Sequence, residues 1–199
     1  MREVELKAVV GDADAVRRTV EAAGARLVRA GRLEDRRYDT ADGALAARDE
    51  VIRLRIQHTQ GAGARGAQLD WKGPTRSEDG YKVREEISSG VADPDAVAGI
   101  LRGLGLAVTR EIDREVAEYT LGGATLRFEH YPRMDVLLEV EGAPADIERA
   151  IVATGLPRAA FTEERLADFV ARYEARTGVR AAVCARELTR DDRDAPRTA

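Results

Sequence analysis

Six stretches of this 199-residue chain carry charged residues on alternate positions, with apolar residues filling the gaps. Glu3, Glu5 and Lys7 form the first set, then Arg53 with Arg55, and Lys82 with Arg84 and Glu86. Arg110 with Arg114 (four apart), Arg127 with Glu129, and Glu139 with Glu141 complete the pattern. Val4, Leu6, Ile52, Leu54, Ile56, Val83, Ile87, Leu126, Phe128, Leu138 and Val140 lie among them. Side chains two apart share a face of a strand, so the spacing predicts a sheet with one apolar face and one charged face of mixed sign. One such strand alone is what an ordinary antiparallel sheet with one solvated face shows. Six are a stronger constraint, because two carry Glu-x-Glu, which places like charges about 7 Å apart that repel unless a cation or a base compensates. A closed or nearly closed barrel would turn the charged face into its lumen. There, carboxylates suit a hard divalent cation, and Arg and Lys suit a multiply charged anion such as phosphate.

The remaining chain reads as one α+β domain. Strands are expected over residues 3–10, 25–38, 51–58, 68–73, 81–88, 107–121, 124–131 and 135–141. Asp12 or Asp14 caps a first helix ending at Gly24, and Asp93-Pro94 opens a second ending at Gly105. A third starts at Pro144-Ala145-Asp146 and stops near Gly155, and a fourth spans 162–177 with Leu166, Phe169, Val170 and Tyr173 as its apolar face. Gly61 to Gly66 reads as a hairpin loop, and Gly122-Gly123 as a tight turn. Residues 1–178 form the domain. Residues 179–199 form a C-terminal extension expected to be partly disordered, frayed over 190–196.

Composition limits the functions open to such a sheet. Acids outnumber bases, 36 to 32, and the net charge of −4 argues against a protein that coats nucleic acid. The one cysteine, Cys184, excludes an intramolecular disulfide framework and has no catalytic surroundings. No apolar run of membrane-spanning length or signal-peptide core occurs, so a cytoplasmic protein without a membrane partner is expected. Only three of the 32 bases are lysines: Lys7, Lys72 and Lys82. No GxGxxG or Walker loop is present, so phosphates would be held by side chains. His58 and His130 lack partners at metal-ligand spacing, Trp71 reads as packing, and Tyr38 and Tyr131 as packing or lumen lining.

Glu3-Val4-Glu5-Leu6-Lys7 resembles the Glu-x-Glu-x-Lys opening of the CYTH family, the triphosphate tunnel metalloenzymes. Ile52-Arg53-Leu54-Arg55, Leu69-Asp70-Trp71-Lys72-Gly73-Pro74, Lys82-Val83-Arg84-Glu85-Glu86-Ile87 and the run from Glu129 to Glu141 follow in the family's order. The Lys-Gly-Pro and Arg-Glu-Glu-Ile segments are most similar to the class IV adenylate cyclase branch. The resemblance implies an eight-stranded antiparallel tunnel with flanking helices, acting on a triphosphate with Mg²⁺ or Mn²⁺. It makes Glu3, Glu5, Glu139 and Glu141 the metal ligands, which with Lys7 form the catalytic set. Lys7, Arg53, Arg55, Lys72, Arg84 and Arg114 become phosphate-holding bases, and Glu86 and Glu129 tunnel acids; Lys82, two before Arg84 on the same strand, is expected to bind substrate with them. Where the family has a second base after Arg114, this chain has Val116, and Arg127 on the next strand is the expected substitute. The family's acid before the turn is often Asp and is Glu129 here, and Asp135 stands where a glycine is common.

The implied reaction is conversion of ATP to cyclic AMP and pyrophosphate. Hydrolysis of tripolyphosphate or of a nucleoside or thiamine triphosphate is the alternative, and capture of triphosphate or polyphosphate without turnover the third reading. No adenine-reading motif is visible. The sequence leaves a homodimer open.

Overall fold

The structure, a computed structural model, describes residues 1–59 and 66–188. Among the described residues nine strands are present: β1 (Arg2–Val10), β2 (Arg26–Asp39), β3 (Val51–Thr59), β4 (Gly66–Lys72), β5 (Arg76–Glu78), β6 (Tyr81–Gly90), β7 (Ala107–Leu121), β8 (Ala124–His130) and β9 (Val136–Glu141). They hydrogen-bond in the order β1-β9-β8-β7-β2-β3-β4-β6-β5, and β1 also pairs with β6. That last pairing, from Arg2↔Glu85 to Glu5↔Lys82, closes eight strands into an antiparallel ring. Closure explains how a sheet with one densely charged face keeps that face away from its apolar core.

The apolar face turns outward under helices α1 (Ala13–Ala22), α3 (Pro94–Gly103) and α4 (Pro144–Thr154); α2 (Ala44–Ala47) is a single turn between β2 and β3. Leu6, Val140, Leu126 and Phe128 are buried with Val16 and Val20 of α1 and Ile147 and Ile151 of α4. Tyr38 and Leu54 form a smaller cluster with Ala98 and Leu101 of α3. The caps are those the sequence offers, Asp12 accepting from the Ala15 amide and Asp93 from those of Asp95 and Ala96. Ile87 departs from the expected pattern, lying 59% exposed on the uncovered end of β6.

Three differences from the expected elements have local causes. The last helix, α5 (Leu166–Thr177), starts at Leu166 instead of Thr162. The Thr162 backbone exchanges hydrogen bonds of 2.9 and 2.8 Å with Lys7 of β1, and Asp168 caps the helix through the Arg165 amide. Strand β5 was not expected; it folds back on β6 through Asp79 and Gly80, both at positive φ, a turn for which Asp-Gly is well suited. Beyond Gly178 the chain stays packed as far as it is described: Ala182 pairs with Arg133, and the Val183 carbonyl accepts from the Asp113 amide. Cys184 is buried there and donates to Asp113. The Gly122-Gly123 turn forms as read. Of the hairpin loop expected over Gly61 to Gly66, Gly66 is instead the first residue of β4, and residues 61–65, like the end at 190–196, lie outside the described residues.

Candidate active site

The ring encloses a cavity of about 290 Å³ lined, among the described residues, by ten bases and seven acids. Alternation places them there: Glu3, Glu5 and Lys7 point inward from β1 while Val4 and Leu6 point to the core. Every residue expected to serve the site lines this cavity: Glu3, Glu5, Lys7, Arg53, Arg55, Lys72, Lys82, Arg84, Glu86, Arg114, Arg127, Glu129, Glu139 and Glu141.

Register brings the four expected metal ligands onto adjoining strands. Glu5 stands opposite Glu141, and Lys7 opposite Glu139. On the other side of β1, Glu5 faces Lys82 and Glu3 faces Arg84. All three lysines of the chain are bound to these acids. Lys7 reaches Glu139 at 2.7 Å and Glu5 at 3.2 Å, Lys82 pairs with Glu5, and Lys72 joins Glu3 at 2.6 Å to Glu86 at 2.8 Å. Burial alone would push the Lys7 ammonium down, but Glu139 and Glu5 outweigh it and hold its pKa well above the usual lysine value. Burial likewise opposes ionisation of Glu139, and Lys7 and Arg127 keep its pKa well below the usual carboxylate range. Glu141 differs. Burial, then the charge of Glu139, raise it to about 7.

The facing wall is built differently. Asp35 of β2 accepts from Arg55 at 2.7 and 2.9 Å and from Arg114 at 3.0 Å, with Arg53 at 3.7 Å. These guanidinium groups overcome burial and hold the Asp35 carboxyl well below its usual range. Arg53 also binds Asp70 at 2.7 Å, and Arg114 binds Glu129 at 2.7 Å. Tyr131 donates to Glu129 at 2.8 Å, which fixes the second carboxylate oxygen. Arg127 pairs with Glu118 at 2.9 Å and with Glu139. Arg84 is committed to main chain, donating to the Gly73 and Asp49 carbonyls at 2.8 and 3.0 Å.

Asp35, Asp70 and Arg37 were not singled out from the sequence. Asp35 and Arg37 lie in Arg32-Leu33-Glu34-Asp35-Arg36-Arg37, where charge on both faces hides the alternation. Asp70 stands two before Lys72, and that spacing was the available signal.

Carboxylate oxygens are the donors a hard divalent cation prefers, and two observations fit this set to one. Glu3 Oε2 is buried without a hydrogen-bond partner, and Glu141 makes no ion pair among the described residues. No three of the acids already converge on one point among those residues.

The CYTH domain model matches residues 1–159. The chain belongs to the CYTH family. No curated protein sequence matches this CYTH chain. A Vibrio parahaemolyticus protein provisionally named an adenylate cyclase superposes with a TM-score of 0.70 at 19% identity, covering 85% of this chain and 97% of that one. A Pyrococcus horikoshii protein gives 0.70 at 21% identity, covering 85% and 98%. A Hippeastrum protein, provisionally named an adenylyl cyclase and described as having a dominant triphosphatase activity, gives 0.60 at 17% identity, covering 87% and 95%. These likenesses show the fold: the closed eight-stranded antiparallel barrel with flanking helices expected from the sequence. Among the described residues no helix is long and apolar enough to cross a membrane.

Proposed function

We propose that this CYTH protein cleaves a phosphoanhydride bond of a triphosphate by metal-dependent hydrolysis, with tripolyphosphate or the triphosphate tail of a nucleotide held in the barrel. The observation that carries this reading is the lining of the lumen, ten bases and seven acids around about 290 Å³, with Tyr131 its one aromatic side chain among the described residues. The Arg114 guanidinium lies over one face of the Tyr131 ring, 5.9 Å from its centre, and the Tyr131 hydroxyl is held by Glu129.

Glu3, Glu5, Glu139 and Glu141 would hold Mg²⁺ or Mn²⁺. When bound, such an ion neutralises phosphate oxygens and acidifies a coordinated water. Lys7, Lys72 and Lys82 occupy Glu3, Glu5 and Glu139 beforehand and keep these three buried acids compatible with a folded chain. Released from them, the ammonium groups are placed to meet phosphate oxygens. Arg53, Arg55 and Arg114 are held in fixed orientation by Asp35, Asp70 and Glu129, leaving their remaining N–H groups to orient the phosphate chain. Arg127, in the lumen beside Glu139, supplies the base that Val116 lacks. Glu86 holds Lys72 in place, and Arg84 fixes the main chain after β4.

Cyclisation of ATP is the second reading, supported by the likeness of the Lys72-Gly73-Pro74 segment to the cyclase branch. One assay separates them. The protein is given ATP or tripolyphosphate with Mg²⁺ or Mn²⁺, and phosphate, pyrophosphate and cyclic AMP are followed. Hydrolysis predicts orthophosphate from tripolyphosphate and no cyclic AMP; cyclic AMP with pyrophosphate would replace this reading by the cyclase. Tight binding without any product would leave a capture module.

A further inference from the structure

Nine of the ten bases lining the lumen have partners in carboxylates or backbone carbonyls. The exception is Arg37 of β2. Its guanidinium makes no hydrogen bond or ion pair among the described residues, and its buried Nε is left without a partner. Register makes the position more costly. Arg37 stands directly opposite Arg53 on β3 and Arg110 on β7, so three arginines lie side by side across three strands. Neighbours in such a row are about 5 Å apart at Cβ and repel when like-charged. Asp35, two residues away on the same face, is already shared by Arg55, Arg114 and Arg53. Burial first, then Arg110 and Arg53, push the Arg37 guanidinium down to about 10.

An unpaired guanidinium beside two others, facing a polar cavity, destabilises the empty protein and is satisfied by an anion. Forked donors in a row match a tetrahedral oxyanion of high charge better than a single carboxylate. We propose that Arg37, with Arg53 and Arg110 on either side, is a phosphate-binding rung on the β2 wall, separate from the acid–base pairs that occupy the other lumen bases. The inference rests on the reading of the lumen as a phosphate-chain site and adds the residue that sets how far along the chain the protein grips. The phosphate at Arg37 belongs either to the triphosphate itself or to the fourth unit of a longer linear chain.

The test compares wild type, Arg37→Gln and Arg36→Gln by calorimetric titration with tripolyphosphate and with tetrapolyphosphate, in EDTA and separately with Mg²⁺. Arg36→Gln removes the same charge from the opposite face of the strand and should leave both affinities within about twofold. Arg37→Gln should weaken binding by roughly tenfold to a hundredfold, the range for a lost charge-assisted hydrogen bond. A loss for both chains places the triphosphate at Arg37; a loss for tetrapolyphosphate alone places the fourth phosphate there. The unliganded Arg37→Gln protein should melt no lower than wild type, which a merely structural arginine would not allow. Affinities unchanged by Arg37→Gln overturn this inference alone. Failure of wild type to bind either chain overturns the phosphate-chain reading as well.

Discussion

The two facing walls of the lumen use the same charges in opposite ways. On the β1–β9 wall, Glu3, Glu5 and Glu139 are countered mainly by lysines, each a compact point charge on a flexible stem, while Glu141 has no ion pair among the described residues. On the β2–β3–β7 wall, Asp35 is clasped by planar arginines, one of them bidentate. A lysine can leave its carboxylate and re-form hydrogen bonds elsewhere; a forked arginine pair loses two aligned bonds at once. The difference teaches why a chain so rich in arginine, with 29 of them, keeps its three lysines where it does. Under the proposed function they stand where a counter-ion is exchanged, and arginine stands where geometry is fixed.

Removing an acid from the lysine wall should have the largest effect. Glu5→Ala or Glu141→Ala should lower triphosphate turnover on the order of a thousandfold or more while the circular dichroism spectrum is kept. Full activity in either would remove that carboxylate from the metal set. Next in size is a change on the arginine wall, read as stability. Asp35→Ala leaves three buried guanidinium groups facing one another and should cost about 3–5 kcal/mol, a fall of roughly 10 °C in melting temperature. Lys82→Met should cost about half as much, because Lys7 remains 3.2 Å from Glu5. Equal losses would erase the distinction between the walls.

Glu141 sharpens the comparison through pH. Its folded value, about 7, lies above the ordinary 4.5, so between those limits the native state keeps a proton that the unfolded chain has released. Stability contributed by that proton is complete below about 4.5 and is lost as pH rises through 7, at most about 3 kcal/mol. Glu141→Gln should flatten this decline and raise the melting temperature at pH 8 by several degrees, in the same variant that loses turnover. A melting curve at pH 8 no higher than wild type would contradict the assignment. The smallest effect is expected from the bases: Arg127→Ala and Arg55→Ala should each weaken tripolyphosphate binding about tenfold. An unchanged affinity for Arg127→Ala would remove it as the substitute for the base absent at Val116.

The fold was legible where charge and apolar residues alternate cleanly. In β1, β3 and β9 the outward positions Leu6, Leu54 and Val140 are fully buried under helices, so hydrophobicity marks one face and charge the other. In β2 the outward positions Glu34 and Arg36 are themselves charged and only partly buried, and the inward Asp35 and Arg37 do not stand out. Ile112 shows the converse, an apolar side chain lining the lumen between Arg110 and Arg114. The start of α5 was misplaced because Thr162 pairs with Lys7, a contact between residues far apart in the chain that no local pattern records.

The exchangeable-lysine account can be read directly, because lysine-selective ¹³C and ¹⁵N labelling gives one ammonium signal for each of Lys7, Lys72 and Lys82. The protein is titrated with Mg²⁺ and then with Mg²⁺ and tripolyphosphate while these three signals are followed. The account predicts that Mg²⁺ shifts all three as they leave their glutamates, and that tripolyphosphate shifts them again as they take up phosphate. Three signals that stay in place through both additions would contradict it.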